Sequence, residues 1–185
     1  MYSTFRMNQT SIDTSKIKVA SLEEVMQYEN IDIIDRFMQS WDITLESSTE
    51  IFNEMKKWLW LCAIHATNPD AKQKVPHLAI THSMVLLDEM WHAFILFTKP
   101  YTAFCDKYFG FYIHHGPTTN SQKENIKEKL KNGAEKLLDK VEKDLTLQYE
   151  YIFDQLGEST LQMWYSDWTD LYTSEYLNER YKKEW

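Results

Sequence analysis

Glycine and proline are scarce in this 185-residue chain, with four of each. So few turn formers leave long elements between them, which favours helices over a many-stranded sheet. Two cysteines, Cys62 and Cys105, are too few for a disulfide framework, and a reduced, cytoplasmic protein is the expectation. No apolar run approaches the ~20 residues of a membrane span. The opening stretch, MYSTFRMNQTSIDTSKIKVA, lacks the apolar centre of a signal peptide. Positive charge is also short. Lys and Arg number 20 against 28 Asp and Glu, a formal charge of -8, which disfavours nucleic acid or an anionic membrane as a partner and reads first as solubility. There is no Gly-rich phosphate loop, nucleophile elbow or basic stripe.

What the chain does have is aromatic, apolar content. Seven Trp, eleven Tyr and nine Phe, within a hydrophobic fraction of 43%, are too many for a disordered chain and suit one domain with a real core. The pattern predicts an all-α bundle of five or six helices over residues 21–185, preceded by a loose polar arm over residues 1–20. Ser21-Leu22-Glu23-Glu24 fits a capping box, and Val25, Tyr28, Ile31, Ile34 and Met38 follow at helical spacing. Ser47 to Glu50 reads as a second start, with a stripe through Ile51, Met55, Trp58, Leu59 and Cys62 that Asn68-Pro69 ends. Residues 67–76 read as a loop. A third helix is expected from about Leu78 to Phe97, and a fourth from Pro100, as first helical residue, to Phe109, stopped by Gly110. These two make a central helical hairpin. Phe111 to Ile113 reads as extended and His114 to Pro117 as a turn. A long helix opens at Ser121 and carries Ile126, Leu130, Leu137, Val141, Leu145, Tyr149, Ile152 and Leu156 to Gly157. Its near-heptad spacing would suit a coiled coil, but the break at Gly133-Ala134 favours one or two long bundle helices. A last helix is expected over Ser159 to Tyr181, with Trp164, Trp168, Leu171 and Tyr172 inward.

One stretch, Leu87 to Pro117, gathers an acid, three histidines and a cysteine among aromatics. Asp88 and His92 are four apart on a helix, so both can reach one ion. His114 or His115, carried back by the hairpin, would complete the set. Two histidines and one carboxylate form the facial arrangement that suits Fe(II), with positions left open. Adding Cys105 would favour Zn(II), because thiolates suit zinc better. The structural alternative carries equal weight: an Asp four residues before a His can simply hydrogen-bond the imidazole, His114 and His115 can cap helix ends, and Cys105 can be a small buried hydrophobe. Cys62 reads as core. His65, His77 and His82 read as helix-end or outward residues, each a weak ligand candidate.

The string Asp88-x-x-Trp91-His92, then Tyr101, Cys105, Phe109-Gly110 and His114-His115-x-Pro117, resembles the glycine-rich domain-containing protein-like family of plants and bacteria. The hallmark of that family reads D-x-x-W-H-x-H, Y-x-x-x-C and F-G-x-[FI]-x-H-H-x-P. Glu54 to Pro69 resembles its lead-in helix, and Tyr151 to Trp164 its closing segment, with Leu156-Gly157 in place of Phe-Gly. The resemblance implies that Asp88, His92, Cys105 and His115 act as one unit. It supplies no reaction. Two departures stand out: Phe94 occupies the place of the hallmark's second histidine, and Val75-Pro76 lies further from Asp88 than the family pattern has it.

Two functional expectations follow. In one, Asp88, His92, Cys105 and one or both of His114 and His115 hold Fe or Zn in a metal-binding protein, either as an enzyme acting on a small molecule or peptide or without catalysis, with Tyr101 orienting a ligand. In the other, the cluster is a structural lock in a non-catalytic helical module that binds a partner protein.

Overall fold

The structure, a computed structural model, describes residues 3–4, 17–116 and 119–182, without the side chains of six residues between 122 and 132. Among the described residues it is all-α, apart from a two-residue antiparallel pairing of β1 (Ser3–Thr4) with β2 (Ala79–Ile80) and a single antiparallel bridge between Trp41 and Tyr181. Among the described residues no helix is long and apolar enough to cross a membrane. Of the arm expected over residues 1–20, positions 1–2 and 5–16 lie outside the described residues. Residues 17–20 run against the helices, where the Ala20 amide donates to the Tyr108 carbonyl (2.8 Å) and Trp60 Nε1 donates to the Ala20 carbonyl (3.0 Å).

Local chemistry accounts for most of the element ends. The Ser21 capping box starts α1 (Leu22–Met26), with both reciprocal bonds made. The expected single stripe from Val25 to Met38 is in fact two helices. Asn30 accepts from the Asp32 amide and starts α2 (Ile31–Ser40), which resets the phase and leaves Ile31 at the surface while Ile33, Ile34 and Phe37 turn inward. Helix α3 (Leu45–Thr67) begins two residues before the Ser47–Glu50 signal, capped by the Thr44 side chain. Its inner stripe, Ile51, Met55, Trp58, Leu59 and Cys62, is buried as the spacing requires.

Residues 67–76 are not a plain loop. Asn68 ends α3 and caps α4 (Pro69–Lys74), its side chain accepting from the Asp70 and Ala71 amides, with Pro69 in the first turn where its missing N–H costs nothing. The helix expected from Leu78 is shorter, because the Gln148 side chain holds Ala79 extended. Its amide oxygen accepts from the Ala79 N–H (2.7 Å), and its amide nitrogen donates to the Ala79 carbonyl (2.9 Å). A 3₁₀ turn (His82–Met84) then leads into α5 (Val85–Leu96).

Helix α6 (Thr98–Tyr108) starts two residues before Pro100, which is therefore its third residue. Gly110 does end it, at φ 73°, where the chain folds over Ile17 so closely that a Cβ would sit 3.1 Å from the Ile17 side chain. Helix α7 (Asn120–Leu156) is interrupted at Gly133, whose backbone is extended. The inward roles expected of Ile126 and Leu130 lie outside the described side chains. The last helix is three: α8 (Glu158–Gln162), a π turn (Met163–Asp167) running into α9 (Trp168–Leu171), and α10 (Ser174–Arg180), started by Thr173. The extra residue of the π turn shifts the phase. Trp164, Trp168 and Tyr172 stay inward, and Leu171, expected beside them, is exposed.

Helix α5 packs against α2, α3 and α6, and this sets the site. Its inner side enters an aromatic cluster in which Phe94 meets Tyr28, Tyr101 and Phe104 at ring-centroid distances of 5.0–5.6 Å. Nearby, Lys56 reaches from α3 to the open end of α1, donating from Nζ to the Met26 (2.9 Å) and Tyr28 (2.8 Å) carbonyls. Its residue is 2% exposed, and burial lowers the ammonium pKa to about 8, with Glu29 opposing.

A depressed lysine makes the unfolded chain the better proton binder between pH 8 and 10.5, so stability from this group rises with pH across that window. Below pH 8 the buried charge costs its full amount. The wild-type chain should therefore gain about 1–2 kcal/mol over Lys56→Met between pH 7.5 and 9.5. Urea midpoints of the two proteins across that range would test it, and a constant gap would rule it out.

Candidate metal centre

Asp88 and His92 sit one turn apart on α5, on the side turned away from Phe94. The third member comes from the strand-like run after α6. An extended chain alternates its side chains. Phe111 and Ile113 are buried, Tyr112 and His114 share the opposite side with rings 4.7 Å apart, and His115 therefore turns in with Ile113. Tyr101 fixes this run. Its buried hydroxyl accepts from Trp91 Nε1 (3.0 Å) and donates to the Ile113 carbonyl (2.6 Å), tying α5, α6 and the run together two residues before His115. Burial drives the Tyr101 pKa far above its ordinary value, so it remains a neutral donor. It orients the backbone that carries His115, not a ligand side chain as the sequence suggests.

Asp88, His92 and His115 converge, with one ligand atom from each and all three atoms within 4.8 Å of one another. His115 Nε2 is 2.7 Å from Asp88 Oδ1, a charge-assisted hydrogen bond. His92 Nε2 is 3.9 Å from Asp88 Oδ2. The two imidazoles lie 4.5 Å apart, and the His115 ring also meets Trp91 edge-on at 4.3 Å. Side-chain exposure grades from 7% at His115 through 17% at Asp88 to 45% at His92, so the cluster opens to solvent chiefly on the His92 side.

One participant escaped the sequence reading. Glu89 Oε1 is 3.5 Å from His92 Nδ1. A carboxylate at that nitrogen favours its protonation and leaves Nε2, the atom facing Asp88, for a ligand. Glu89 is the main reason the His92 pKa is raised, with Asp88 adding to it and burial opposing. The signal was available, since Glu89 and His92 are three apart on a helix.

Two expected ligands do not join. His114 is exposed on the far side of its strand-like run. Cys105 is fully buried, and its thiol pKa is pushed up to about 11, chiefly by burial, with the Ile113 backbone and Tyr101 opposing. A thiol so held is protonated near neutral pH and is a poor metal ligand. The other histidines are spoken for or lie apart. His65 is buried with Nε2 2.7 Å from the Val75 carbonyl, and its pKa is lowered, mainly by burial. His82 Nε2 is 3.3 Å from Ser174 Oγ, and His77 is exposed.

Metal–nitrogen and metal–oxygen bonds of about 2.0–2.2 Å require ligand atoms roughly 3–3.5 Å apart. The observed 2.7 and 3.9 Å bracket that span. A small opening of the Asp88–His115 pair, with closure of His92, would bring three donors around one centre. The comparisons with known proteins add a family and no chemistry. No curated protein and no solved structure matches the chain. Residues 42–134, which include all three members of the cluster and Glu89, match the UCP032817-like family. The chain is a member of the UCP032817-like family.

Proposed function

We propose that Asp88, His92 and His115 hold one divalent transition-metal ion, and that the protein works as a metal-dependent enzyme on a small molecule or peptide. The observation that carries this reading is the convergence of a carboxylate and two imidazoles, drawn from α5 and the run after α6, at a spot open on one side. Structural metal sites are closed by four protein ligands, whereas sites for chemistry keep positions free. Three donors and an exposed His92 edge fit the second kind. The same donors favour Fe(II) over Zn(II), because the thiol that would have favoured zinc is buried and outside the cluster. Such an ion supplies Lewis acidity or a low-pKa bound water in the zinc form, and oxygen chemistry in the iron form. The chain's own residues hold and orient. Asp88 spans both imidazoles, Glu89 sets the His92 tautomer, and Trp91 with Tyr101 fixes the His115 ring and its backbone. The resemblance to the glycine-rich domain-containing protein-like family belongs to the same proposal, since three of the residues that carry it are these ligands.

A second reading has its own observation. The 2.7 Å bond between His115 and Asp88 is complete without an ion and by itself locks the run after α6 onto α5. In that case the module binds a partner protein and performs no reaction.

Elemental analysis of protein purified without a histidine tag separates the two. The metal reading expects close to one equivalent of iron or zinc in the wild type and loss of most of it in His92→Ala. Metal well below one equivalent and equal in both proteins, after purification with added Fe(II) or Zn(II), would overturn it.

A further inference from the structure

Oxidisable rings run outward from the Asp88 cluster. The His115 ring meets Trp91 edge-on at 4.3 Å, Trp91 Nε1 donates to the Tyr101 hydroxyl at 3.0 Å, and the Tyr101 ring meets Tyr112 edge-on at 5.1 Å. Trp91 and Tyr101 are buried. Tyr112 is half-buried and shares its side of the run with exposed His114, their rings 4.7 Å apart. These rings lead without a break from a proposed ligand to solvent.

Proton chemistry decides where a one-electron oxidation can rest on this line. An indole gives up an electron and keeps its proton, and the Trp91 N–H already points at an oxygen that stabilises the resulting cation. A phenol must also lose its proton. Tyr101 donates to the Ile113 carbonyl, which is no base, so Tyr101 passes charge without holding it. The Cys105 thiol beside Tyr101 is fully buried and meets the same obstacle. Phe94, which also packs on Tyr101, is too hard to oxidise. Tyr112 differs from all of these, because solvent and the His114 imidazole are at hand to take its proton.

We infer that Trp91, Tyr101 and Tyr112 form a one-electron path between the metal centre and the surface, with Tyr112 as its outer end. The inference rests on the metal reading above in its iron form, since zinc has no redox chemistry. With hydrogen peroxide as oxidant, the O–O bond breaks and two waters form. Fe(II) gives one electron and becomes Fe(III). Tyr112 gives the other through Tyr101 and Trp91 and becomes a neutral phenoxyl radical. Of the two protons consumed, one replaces that lost from the Tyr112 hydroxyl to solvent and the other is drawn from solvent. An oxidising equivalent left at the site without substrate is thereby discharged at the surface, which spares His115 and Trp91.

The test uses the full chain loaded with one equivalent of Fe(II), freed of unbound iron and mixed without air with one equivalent of hydrogen peroxide. Electron paramagnetic resonance of rapidly frozen samples should show a tyrosyl radical, narrowed when the protein carries ring-deuterated tyrosine. Tyr112→Phe should bind iron as the wild type does, lose most of that signal, and show more oxygen added at Trp91 and His115 by peptide mass spectrometry. Trp91→Phe should lose the tyrosyl signal as well. A wild type that holds iron and forms no tyrosyl radical overturns the path and leaves the metal site standing. So does a signal undiminished in iron-loaded Tyr112→Phe or Trp91→Phe, or wild-type oxidation that ends on Cys105. A wild type that takes up no iron overturns both the path and the iron site.

Discussion

Saturating Fe(II) or Zn(II) is expected to raise the melting temperature of the wild-type chain by about 5–11 °C and to leave His92→Ala unmoved. An ion at about a hundred times its dissociation constant stabilises the folded state by about 2.7 kcal/mol. For a domain of this length, each kcal/mol is worth roughly 2–4 °C. The two histidines should behave differently without metal. His115 gives up a bond to a carboxylate and an edge contact with Trp91, and its removal leaves Asp88 only 17% exposed with that oxygen unpaired. Losing a hydrogen bond to a charged group costs about 1.5–3 kcal/mol. His92 is 45% exposed, and its contacts at 3.5 and 3.9 Å are loose, so His92→Ala should cost less than about 1 kcal/mol.

The pair of variants therefore distinguishes an ion site from an internal lock. If the cluster binds metal, both changes abolish the ion-induced rise, although only His115→Ala weakens the metal-free protein. If it is a lock, His115→Ala weakens the protein equally with and without the ion, and His92→Ala changes nothing. Calorimetric or fluorescence melts of the three proteins, each with chelator and with added ion, would decide it. An undiminished ion-induced shift in His92→Ala would sink the metal reading.

How much of this could be read from the residues depends on how far each cause lies along the chain. Ser21, Asn68, Gly110 and Gly157 announce helix ends through neighbours within four residues, and the structure puts ends at all of them. The extended Ala79–Ile80 pair could not be read, because what holds it is Gln148, far downstream. The π turn at Met163–Asp167 was equally hidden. Its Trp164 donates to Glu54 in α3 and its Tyr165 hydroxyl accepts from Gln148, so the extra residue answers two distant partners. At the site, helical spacing correctly put Asp88 and His92 on one face, but it suggested that Asp88 bonds His92. The tight bond goes to His115, 27 residues on. Choosing His115 over His114 was within reach of the sequence, because a strand-like run from Phe111 has period two and Phe111, Ile113 and His115 share its buried side. Removing Cys105 from the ligand set was not, since only the packing shows the thiol enclosed.

Phe94→His, which would place a histidine two residues after His92 as in the D-x-x-W-H-x-H pattern the sequence resembles, is expected to destabilise the chain by about 3–5 kcal/mol and to add nothing to metal affinity. At 100° per residue, position 94 lies about 200° around α5 from His92. Its side chain therefore points away from Asp88 and into the core. Phe94 is fully buried, and its ring meets those of Tyr28, Phe52, Tyr101 and Phe104 within 6.4 Å. An imidazole there forfeits aromatic packing of the kind whose truncation costs about 3–5 kcal/mol. It also buries a polar ring among hydrocarbons. The Tyr101 hydroxyl in that cluster already accepts from Trp91 and donates to Ile113. Taking it for a new imidazole would loosen the run that carries His115, so metal affinity should fall if it changes at all. Phenylalanine at this position thus removes no donor from the Asp88 cluster. Urea unfolding and metal titration of Phe94→His beside the wild type would test both halves. A variant that binds the ion more tightly and unfolds within about 1 kcal/mol of the wild type would mean that residue 94 can turn to the metal side, and the orientation of α5 argued here would be wrong.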